Sequence, residues 1–329
     1  MSLNCKNVVV TGGAGFAGSH IVDLVCQRFP DAEVRVADKM TYAGDIRNIL
    51  PLISANRVNL MVGDVSDTDF CHRVVKGADL VIHAAAESHV DNSFHSSLNF
   101  TKSNALGTHA MVEACRDLEV PAFVHISTDE VYGEVIDGSA PEDAPLLPTN
   151  PYSASKAAAE MIVRGYAQSF KLPVKIIRAN NLYGPRQYPE KIIPRFICHM
   201  MLGRPLTLHG DGSNRRHYLA VEDFAEAVLH VAEHGTVGET YNIGTDEEYR
   251  NIHIAETIAG FFQKDLASVV EYVPDRPFND ARYSVDASKL ERLGWKPRRR
   301  LADNLPDVVA WYKENFFRYE PLFGTIGDF

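Results

Sequence analysis

The sequence predicts an α/β protein with a doubly wound parallel sheet and a smaller mixed α/β lobe. Its 329 residues are enough for a large buried core. The first half of the chain alternates short β-branched runs with longer amphipathic stretches, which is the pattern of repeated strand–helix–strand units. The strand-like runs are almost entirely apolar, and this indicates a parallel sheet that is buried on both faces.

Six apolar runs are predicted as strands and four amphipathic stretches as helices. The strands cover residues 8–11, 34–37, 58–62, 80–83, 122–126 and 174–178, and the helices cover 19–29, 68–75, 98–118 and 152–170. After residue 178 the pattern is interrupted by proline, glycine and aromatic residues, and a helix-like run at 223–232 is expected to lead back to the sheet. The predicted domains are therefore 1–178 with about 218–243 for the sheet, and 179–217 with 244–329 for the lobe.

Composition and charge exclude several classes of function. A formal net charge of -10 argues against nucleic acid as the main partner, because phosphate backbones bind basic surfaces. No apolar run reaches about 18 residues, so no membrane span is expected. The scattered cysteines lack metal-ligand spacing and predict reduced thiols in a cytoplasmic protein, with no disulfide framework and no metal site: Cys5, Cys26, Cys71, Cys115 and Cys198.

A glycine-rich loop directly after the first strand predicts a dinucleotide site. Gly12, Gly15 and Gly18 allow a tight turn, close approach of the backbone to a pyrophosphate, and packing of the next helix on the sheet. That helix would begin at the phosphates and present free N–H groups to them. The strand, loop and helix together indicate a sheet of the Rossmann type.

The residue after the second strand selects the cofactor. Asp38 lies twenty positions after Gly18, where a carboxylate accepts both ribose hydroxyls and repels a 2′-phosphate. The sequence therefore favours NAD over NADP, although the adjacent Lys39 would weaken that preference. Asp64, after the third strand, is interpreted either as a contact to the adenine ring or as a helix cap or turn residue.

A tyrosine and a lysine on one predicted helix indicate hydride chemistry. Tyr152 and Lys156 stand four residues apart, so their side chains share a face. An isolated phenol has a pKa of about 10, too high for a base near neutral pH. The lysine ammonium and a nicotinamide cation are expected to lower the pKa of Tyr152. Such a pair removes a hydroxyl proton while a hydride leaves the same carbon, and Lys156 can also hold the nicotinamide ribose.

Two adjacent carboxyl groups, Asp129 and Glu130, follow the predicted fifth strand. Side chains of a continuous strand alternate between faces, so the strand must end near Ser127 for both to reach one ligand. An elimination needs such a pair: an acid for the departing hydroxyl and a base for the neighbouring carbon. Asp129 is predicted to hold a proton near neutral pH, because burial and the charge of Glu130 raise its pKa. The alternative is that one carboxylate caps the following segment and only the other is functional.

With these residues in hand, the chain resembles the nucleotide-sugar 4,6-dehydratases of the extended short-chain dehydrogenase/reductase superfamily. The similarity covers nearly the whole chain and rests on the segments 38–44, 85–91, 127–133, 188–191 and 275–280. It implies a hydro-lyase that acts on a nucleoside diphosphoglucose with NAD. Tyr152 takes the 4-hydroxyl proton as the C4 hydride leaves, Glu130 removes the C5 proton, and Asp129 protonates the departing C6 hydroxyl. The hydride then returns to C6 and gives a 4-keto-6-deoxy sugar.

The resemblance also assigns further residues to the two ligands. Thr128 would bind the sugar hydroxyl beside Tyr152, and Ser88 would contact the substrate or the nicotinamide. Guanidinium groups pair well with phosphate oxygens, and the implied substrate contacts are Asn181, Lys191, Arg216 (or its neighbour Arg215), Asn251, Arg276 and Asn279. The implied additional cofactor contacts are Phe16, Ala17, Thr41, Val65, Ala84, Ala86 and Ser103.

Several points stay open at this level. dTDP-glucose is the favoured substrate, but segments 180–185 and 278–280 are more similar to the UDP-glucose enzymes of rhamnose synthesis. A nucleotide-sugar 4-epimerase would use the tyrosine–lysine pair and NAD without the two carboxyl groups, and a non-catalytic NAD-binding sensor would need neither pair. The resemblance implies a homodimer formed through the helices near 98–118 and 152–170. The aromatic tail, 316–329, would pack on its own lobe or contact a second subunit.

Overall fold

A computed structural model describes residues 5–275 and 278–325 of the chain. Its strands are β1 (Asn7–Thr11), β2 (Glu33–Asp38), β3 (Val58–Val62), β4 (Leu80–His83), β5 (Phe123–Thr128), β6 (Val174–Ala179), β7 (Asn181–Tyr183), β8 (Leu206–His209), β9 (Arg215–Ala220), β10 (Thr240–Ile243), β11 (Glu248–Arg250) and β12 (Val270–Val273). Its α-helices are α1 (Phe16–Arg28), α2 (Leu50–Ser54), α3 (Thr68–Val75), α4 (Val90–His95), α5 (Ser97–Phe100), α6 (Gly107–Asp117), α7 (Pro151–Phe170), α8 (Ile192–Leu202), α9 (Val221–His234), α10 (Asn251–Phe261), α11 (Ser288–Arg292), α12 (Leu301–Glu314) and α13 (Leu322–Thr325). A π-helical segment, Thr101–Leu106, joins α5 to α6.

The large sheet contains seven parallel strands of the described chain, in the order β10-β6-β5-β4-β1-β2-β3. From β1 the chain builds outward through β2 and β3, and then in the other direction from β4. A crevice therefore opens where the direction reverses, at the C-terminal ends of β1 and β4. The predicted doubly wound α/β sheet is confirmed. After α9 the chain returns to this sheet, because β10 pairs with β6.

Helices cover both faces of this sheet, which explains the continuous apolar strands. Val8, Val9 and Val10 in β1 are all fully buried, although their side chains alternate between the two faces. On one face α1 and α9 pack together with Val8 and Val10. On the other face α3, α6 and α7 pack with Val9.

A second apolar cluster lies outside the large sheet. It joins α8, α10 and α12 to the small sheets β11-β9-β7 and β12-β8. Tyr319 and Phe323 of the aromatic tail are buried in this cluster, and Arg318 of the same tail binds Asp45 and Asn48 of the predicted cofactor domain. Residues 326–329 lie outside the described residues. The exact domain boundaries stay a prediction.

No helix in residues 5–275 and 278–325 is both long enough and apolar enough to cross a membrane.

Candidate active site

A cavity of about 420 Å³ opens at the C-terminal ends of β1, β4 and β5. It reaches from the glycine loop to the small sheets of the second cluster, and it brings together all the predicted site residues that the structure describes. These are Gly12, Gly15, Phe16, Ala17, Gly18, Asp38, Lys39, Thr41, Asp64, Val65, Ala84, Ala86, Ser88, Ser103, Thr128, Asp129, Glu130, Tyr152, Lys156, Asn181, Lys191, Arg216, Asn251 and Asn279. Arg276 lies outside the described residues.

The glycine loop packs so closely on neighbouring backbone that side chains have no room at two of its positions. Gly12 has a φ of +68°, and a Cβ atom there would lie 2.8 Å from the Cα of Ala85. A Cβ on Gly18 would collide with the carbonyl group of Gly12. The backbone therefore approaches the cavity wall more closely than side chains would permit, and α1 begins at this point with its N–H groups free.

Asp38 is the last residue of β2 and is almost fully buried. Its carboxylate accepts backbone hydrogen bonds from Ala14 (3.0 Å) and Met40 (2.8 Å), while burial raises its pKa. Lys39 does not pair with Asp38; its ammonium lies 2.9 Å from Asp64. The loop and the carboxylate therefore fit a dinucleotide whose ribose carries no phosphate.

The structure shows which local role Asp64 has. Its carboxylate accepts the Ser66 N–H at 2.9 Å, so it does hold a turn. The cap of α3 is Asp67, which accepts hydrogen bonds from the first turn of that helix. Asp64 also lines the cavity. Asp64 is therefore a turn residue and not the helix cap, and its contact with the adenine ring stays a prediction.

The chain turns directly after β5, which ends two residues beyond the predicted strand and one beyond the expected turn near Ser127. Thr128 is the last residue of the strand, and Asp129–Tyr132 form a 3₁₀ helix. The hydroxyl of Thr128 caps this helix by accepting the Glu130 N–H at 3.3 Å. The helix is therefore capped by Thr128 and not by a carboxylate. Both adjacent carboxyl groups, Asp129 and Glu130, line the cavity.

Asp129 is buried and is held by two neutral donors. Asn180 donates an amide N–H to Oδ2 at 2.9 Å, and the Thr128 hydroxyl donates to Oδ1 at 3.2 Å. Burial and the neighbouring charge of Glu130 raise the pKa of Asp129 to about 7, against these donors. Near neutral pH a large share of this group carries a proton, as an acid in this position requires.

Glu130 has a different environment. Asn150 donates an amide N–H to its Oε2 at 3.3 Å, and Tyr283 places its hydroxyl 3.5 Å from the same oxygen. Burial raises the pKa of Glu130, whereas the charges of Lys191 and Arg216 lower it. The two adjacent carboxyl groups therefore have different partners, which suits an acid and a base in one site.

Tyr152 and Lys156 lie in the first two turns of α7. Asn150 and Ser153 form a capping box at the start of this helix, with Pro151 as its first residue. Lys156 donates to the Ile126 carbonyl at 2.6 Å, and burial lowers its pKa to about 8. Asn150 thus both caps the helix and binds Glu130, so one side chain links α7 to the segment after β5.

The predicted lowering of the Tyr152 pKa is wrong for the protein's own groups. Burial raises this pKa, and the charges of Glu130 and Asp129 raise it further. A hydrogen bond with Thr128 acts in the opposite direction but is weaker. The physical reason is the loss of water around the phenol, which disfavours the phenolate, while the expected cation, Lys156, donates to a carbonyl group.

The part of the cavity near the small sheets is lined by Lys191, Arg195 and Arg216. Arg216 stacks on the Tyr283 ring at 4.6 Å and donates to the Asp280 carbonyl at 2.9 Å, so its guanidinium group is fixed. Arg215 pairs with Glu248 at 3.1 Å and does not line the cavity, which favours Arg216. Lys191 donates to the Ser88 carbonyl at 2.8 Å.

Comparison with known proteins agrees with this geometry. The sequence pattern of the GDP-mannose 4,6 dehydratase family matches residues 9–308. This chain belongs to that family. The predicted resemblance to nucleotide-sugar 4,6-dehydratases of the extended short-chain dehydrogenase/reductase superfamily is therefore confirmed.

Individual members of the group are similar over most of the chain. A trifunctional UDP-glucose 4,6-dehydratase/UDP-4-keto-6-deoxy-D-glucose 3,5-epimerase/UDP-4-keto-L-rhamnose-reductase of Arabidopsis thaliana is 45% identical over 94% of this chain, which spans only 47% of that relative. A dTDP-D-glucose 4,6-dehydratase of Mus musculus is 40% identical, with 96% of this chain and 91% of the mouse protein covered. The crystal structure of DesIV, a dTDP-glucose 4,6-dehydratase of Streptomyces venezuelae with NAD and dTDP bound, superposes with a TM-score of 0.93 at 41% identity, covering 96% of this chain and 99% of DesIV.

Sequence reasoning missed three side chains that contact the two predicted catalytic carboxyl groups. Asn180 binds Asp129, and Asn150 and Tyr283 lie against Glu130. A signal existed for Asn150, because asparagine is common at the residue before a helix and proline at the first helical position. Asn180 and Tyr283 carried no local signal, since their partners are 51 and 153 residues away in the chain.

Proposed function

We propose that this chain dehydrates a nucleoside diphosphoglucose to its 4-keto-6-deoxy derivative, as an NAD-dependent hydro-lyase. The observation that carries the proposal is that Asp129 and Glu130 open onto the same cavity as Tyr152 and Lys156. Oxidation of a hydroxyl needs only the tyrosine–lysine pair. The additional acid and base favour an elimination, and they favour a dehydratase over a 4-epimerase or a non-catalytic sensor.

NAD fits the first half of the cavity. Gly12, Gly15 and Gly18 would face its pyrophosphate, Asp38 its adenosine ribose and Lys156 its nicotinamide ribose. When bound, NAD accepts the hydride from C4 of the sugar and later returns it to C6. Support for this cofactor comes from DesIV, whose structure contains NAD.

The protein's own groups would act in sequence. Tyr152, with Thr128 beside it, takes the proton of the 4-hydroxyl as C4 is oxidised. The C4 ketone acidifies the C5 hydrogen, which Glu130 removes, and Asp129 gives its proton to the departing C6 hydroxyl. Glu130 finally returns a proton to C5. Asn181, Lys191, Arg216, Asn251 and Asn279 would hold the nucleoside diphosphate, with Arg276 as a further arginine from the sequence.

Two nucleotides are candidates for the substrate. dTDP-glucose is supported by the mouse relative and by DesIV. UDP-glucose is supported by the Arabidopsis relative, which is 45% identical but about twice as long as this chain.

The deciding experiment is turnover of dTDP-glucose and UDP-glucose side by side, with the 4-keto-6-deoxy product measured by its ultraviolet absorbance in alkali. We expect a strong signal with at least one substrate, and the ratio of the two kcat/KM values selects the nucleotide. Nuclear magnetic resonance of the same samples detects a galactose epimer. Epimer without keto product would identify an epimerase, and NAD binding without either product would identify a sensor.

The proposed acid role of Asp129 predicts a pH dependence. Asp129 acts in its protonated form, and its pKa of about 7 lies well above the ordinary range of an aspartate. The rate of water loss should therefore be greatest below pH 7 and fall about tenfold for each further pH unit above it. At lower pH the rate should fall again as Glu130 is protonated. The two apparent pKa values of the profile belong to the coupled pair of carboxyl groups and not to either residue alone.

The measurement is kcat as a function of pH for the wild type and Asp129→Asn. The variant should be slow throughout and should lack the decline above pH 7. An unchanged decline in the variant would assign it to another group.

Subunit association and cell compartment are also part of the proposal. A homodimer through α6, α7 and the segment before α6 is supported by large apolar side chains exposed there: Leu98, Leu106, Leu118, Met161 and Phe170. Cytoplasmic location is supported by cysteines that are all unpaired and buried.

We also propose the predicted domains: 1–178 with about 218–243 for the cofactor, and 179–217 with 244–329 for the nucleotide sugar.

A further inference from the structure

Glu130 is held along one edge of its carboxylate. Within residues 5–275 and 278–325, both side-chain contacts go to Oε2: Asn150 at 3.3 Å and Tyr283 at 3.5 Å. The other oxygen, Oε1, receives no hydrogen bond from a side chain of these residues. Glu130 itself lines the cavity. A base needs this arrangement, because the oxygen that takes a carbon-bound proton must be available and must point in a fixed direction.

Tyr283 also contacts a buried carboxylate. Its hydroxyl carries one proton and lies between two acceptors, Oδ2 of Asp280 at short range and Oε2 of Glu130 at 3.5 Å, while Thr149 donates to the same Asp280 oxygen at 2.7 Å. Asp280 is 2% exposed, and its other oxygen, Oδ1, is buried without a hydrogen-bond partner in the described structure. An incompletely satisfied buried carboxylate is unfavourable for folding and therefore calls for an explanation.

The position of Tyr283 does not depend on its hydroxyl. The backbone of the segment 281–284 is bound to the loop 134–140 by three hydrogen bonds: Val135 N–H to the Arg282 carbonyl at 3.0 Å, Ala140 N–H to the Ser284 carbonyl at 3.0 Å, and Ala281 N–H to the Glu134 carboxylate at 2.6 Å. The Tyr283 ring also stacks under Arg216. The hydroxyl contacts with Asp280 and Glu130 are thus additional to the packing.

We propose that Tyr283 and Asp280 are positioning residues for the base: the packed Tyr283 ring places its hydroxyl between Oδ2 of Asp280 and Oε2 of Glu130, where the one hydroxyl proton bridges the two carboxylates and leaves Oε1 facing C5 of the sugar. This inference rests on the proposed dehydration. It assigns a role to two residues that the reaction does not otherwise use.

The charge of Asp280 has a second effect in the same direction. Burial is the main cause of the raised pKa of Glu130, and the negative charge of Asp280 raises it further. Lys191, Arg216 and the amide of Asn150 oppose this increase. A higher pKa makes Glu130 a stronger base toward C5. The titratable and charged groups that face Glu130 are Asp129, Tyr152, Lys191, Arg216, Asp280 and Tyr283.

The test separates oxidation at C4 from proton removal at C5. Tyr283→Phe and Asp280→Asn are compared with wild type and with Tyr249→Phe, a matched control that loses a tyrosine–carboxylate contact (Tyr249 to Glu247, 3.4 Å) outside the cavity. Three quantities are measured for each: the rate of reduced-nicotinamide formation, the rate of deuterium incorporation at C5 in D₂O, and the melting temperature.

We expect Tyr283→Phe to form reduced nicotinamide at the wild-type rate and to incorporate deuterium about 10- to 100-fold more slowly, as a displaced catalytic group does. Asp280→Asn should also reduce nicotinamide at the wild-type rate and exchange the C5 hydrogen more slowly. In this variant the decline of the exchange rate at low pH should move to lower pH, because Glu130 loses the neighbouring negative charge. Tyr249→Phe should match the wild type in both rates.

The inference is overturned if exchange at C5 is unchanged in both variants, or if oxidation and exchange fall together. If Tyr283→Phe does not fold, the inference is tested by Asp280→Asn alone, through the shift of its C5 exchange rate along the pH axis. Failure of the proposed function is distinguishable, because the wild type would then form no 4-keto product and show no exchange.

Discussion

Replacement of Tyr152 by phenylalanine is expected to stop the reaction before any reduced nicotinamide forms. The loss should be at least about a hundredfold to ten-thousandfold, the contribution of a positioned general base. Without the hydroxyl no group at this position takes the 4-hydroxyl proton, and C4 cannot become a ketone. Because the C5 hydrogen is acidic only next to that ketone, deuterium exchange at C5 should also disappear.

The variant should keep its structure. Lys156 is held by the Ile126 carbonyl and not by the tyrosine, and the Tyr152 ring packs edge-on against Phe100 at 6.3 Å between centroids. Stopped-flow absorbance after mixing with the nucleotide sugar measures the first step. Tyr166→Phe, on the same helix, loses a contact to His109 at 3.0 Å outside the cavity and should behave as wild type. Rapid nicotinamide reduction in Tyr152→Phe would show that another group takes the proton.

Local rules of chain geometry were enough to predict the sheet and the cofactor half of the cavity. β1 is buried on both faces, so its run of valines has no alternation and indicates a parallel strand directly. Gly12 and Gly18 stand where a Cβ would collide with backbone, and such positions can be recognised from the glycine spacing alone. Strand ends were less certain, and β5 proved to extend through Thr128.

Long-range contacts could not be predicted from the sequence. Asn180 reaches Asp129 because β6 lies next to β5, and the pairing of these strands appears only after folding. Tyr283 reaches Glu130 across 153 residues of sequence. Neither residue belongs to a periodic pattern, and a polar residue in a loop has many alternative partners before the chain is folded.

Burial of the site also explains an error in the expected electrostatics. A single desolvated cavity raises the pKa values of Asp129 and Tyr152 and lowers that of Lys156. The sequence suggested which charges would be neighbours but not how little water would remain around them. The same desolvation that makes Asp129 an acid near neutral pH makes Tyr152 harder to ionise.

Replacement of Glu130 by glutamine is expected to separate the two halves of the reaction. The amide keeps the shape of the side chain but cannot take a proton from C5. Tyr152 and Lys156 are unchanged, so C4 oxidation should proceed and reduced nicotinamide should accumulate on the enzyme. Product formation and deuterium incorporation at C5 should fall by about a hundredfold to ten-thousandfold.

Asp129→Asn is the matched comparison, because it removes the adjacent carboxyl group with the same chemical change. This variant should still exchange the C5 hydrogen, since Glu130 remains, while loss of water is slowed for lack of an acid. Nuclear magnetic resonance of the recovered substrate measures exchange, and the absorbance of reduced nicotinamide measures oxidation. Continued exchange in Glu130→Gln would remove Glu130 from the base role. Loss of exchange in both variants would mean that the two carboxyl groups act as one unit, with a proton shared between neighbours rather than divided into an acid and a base.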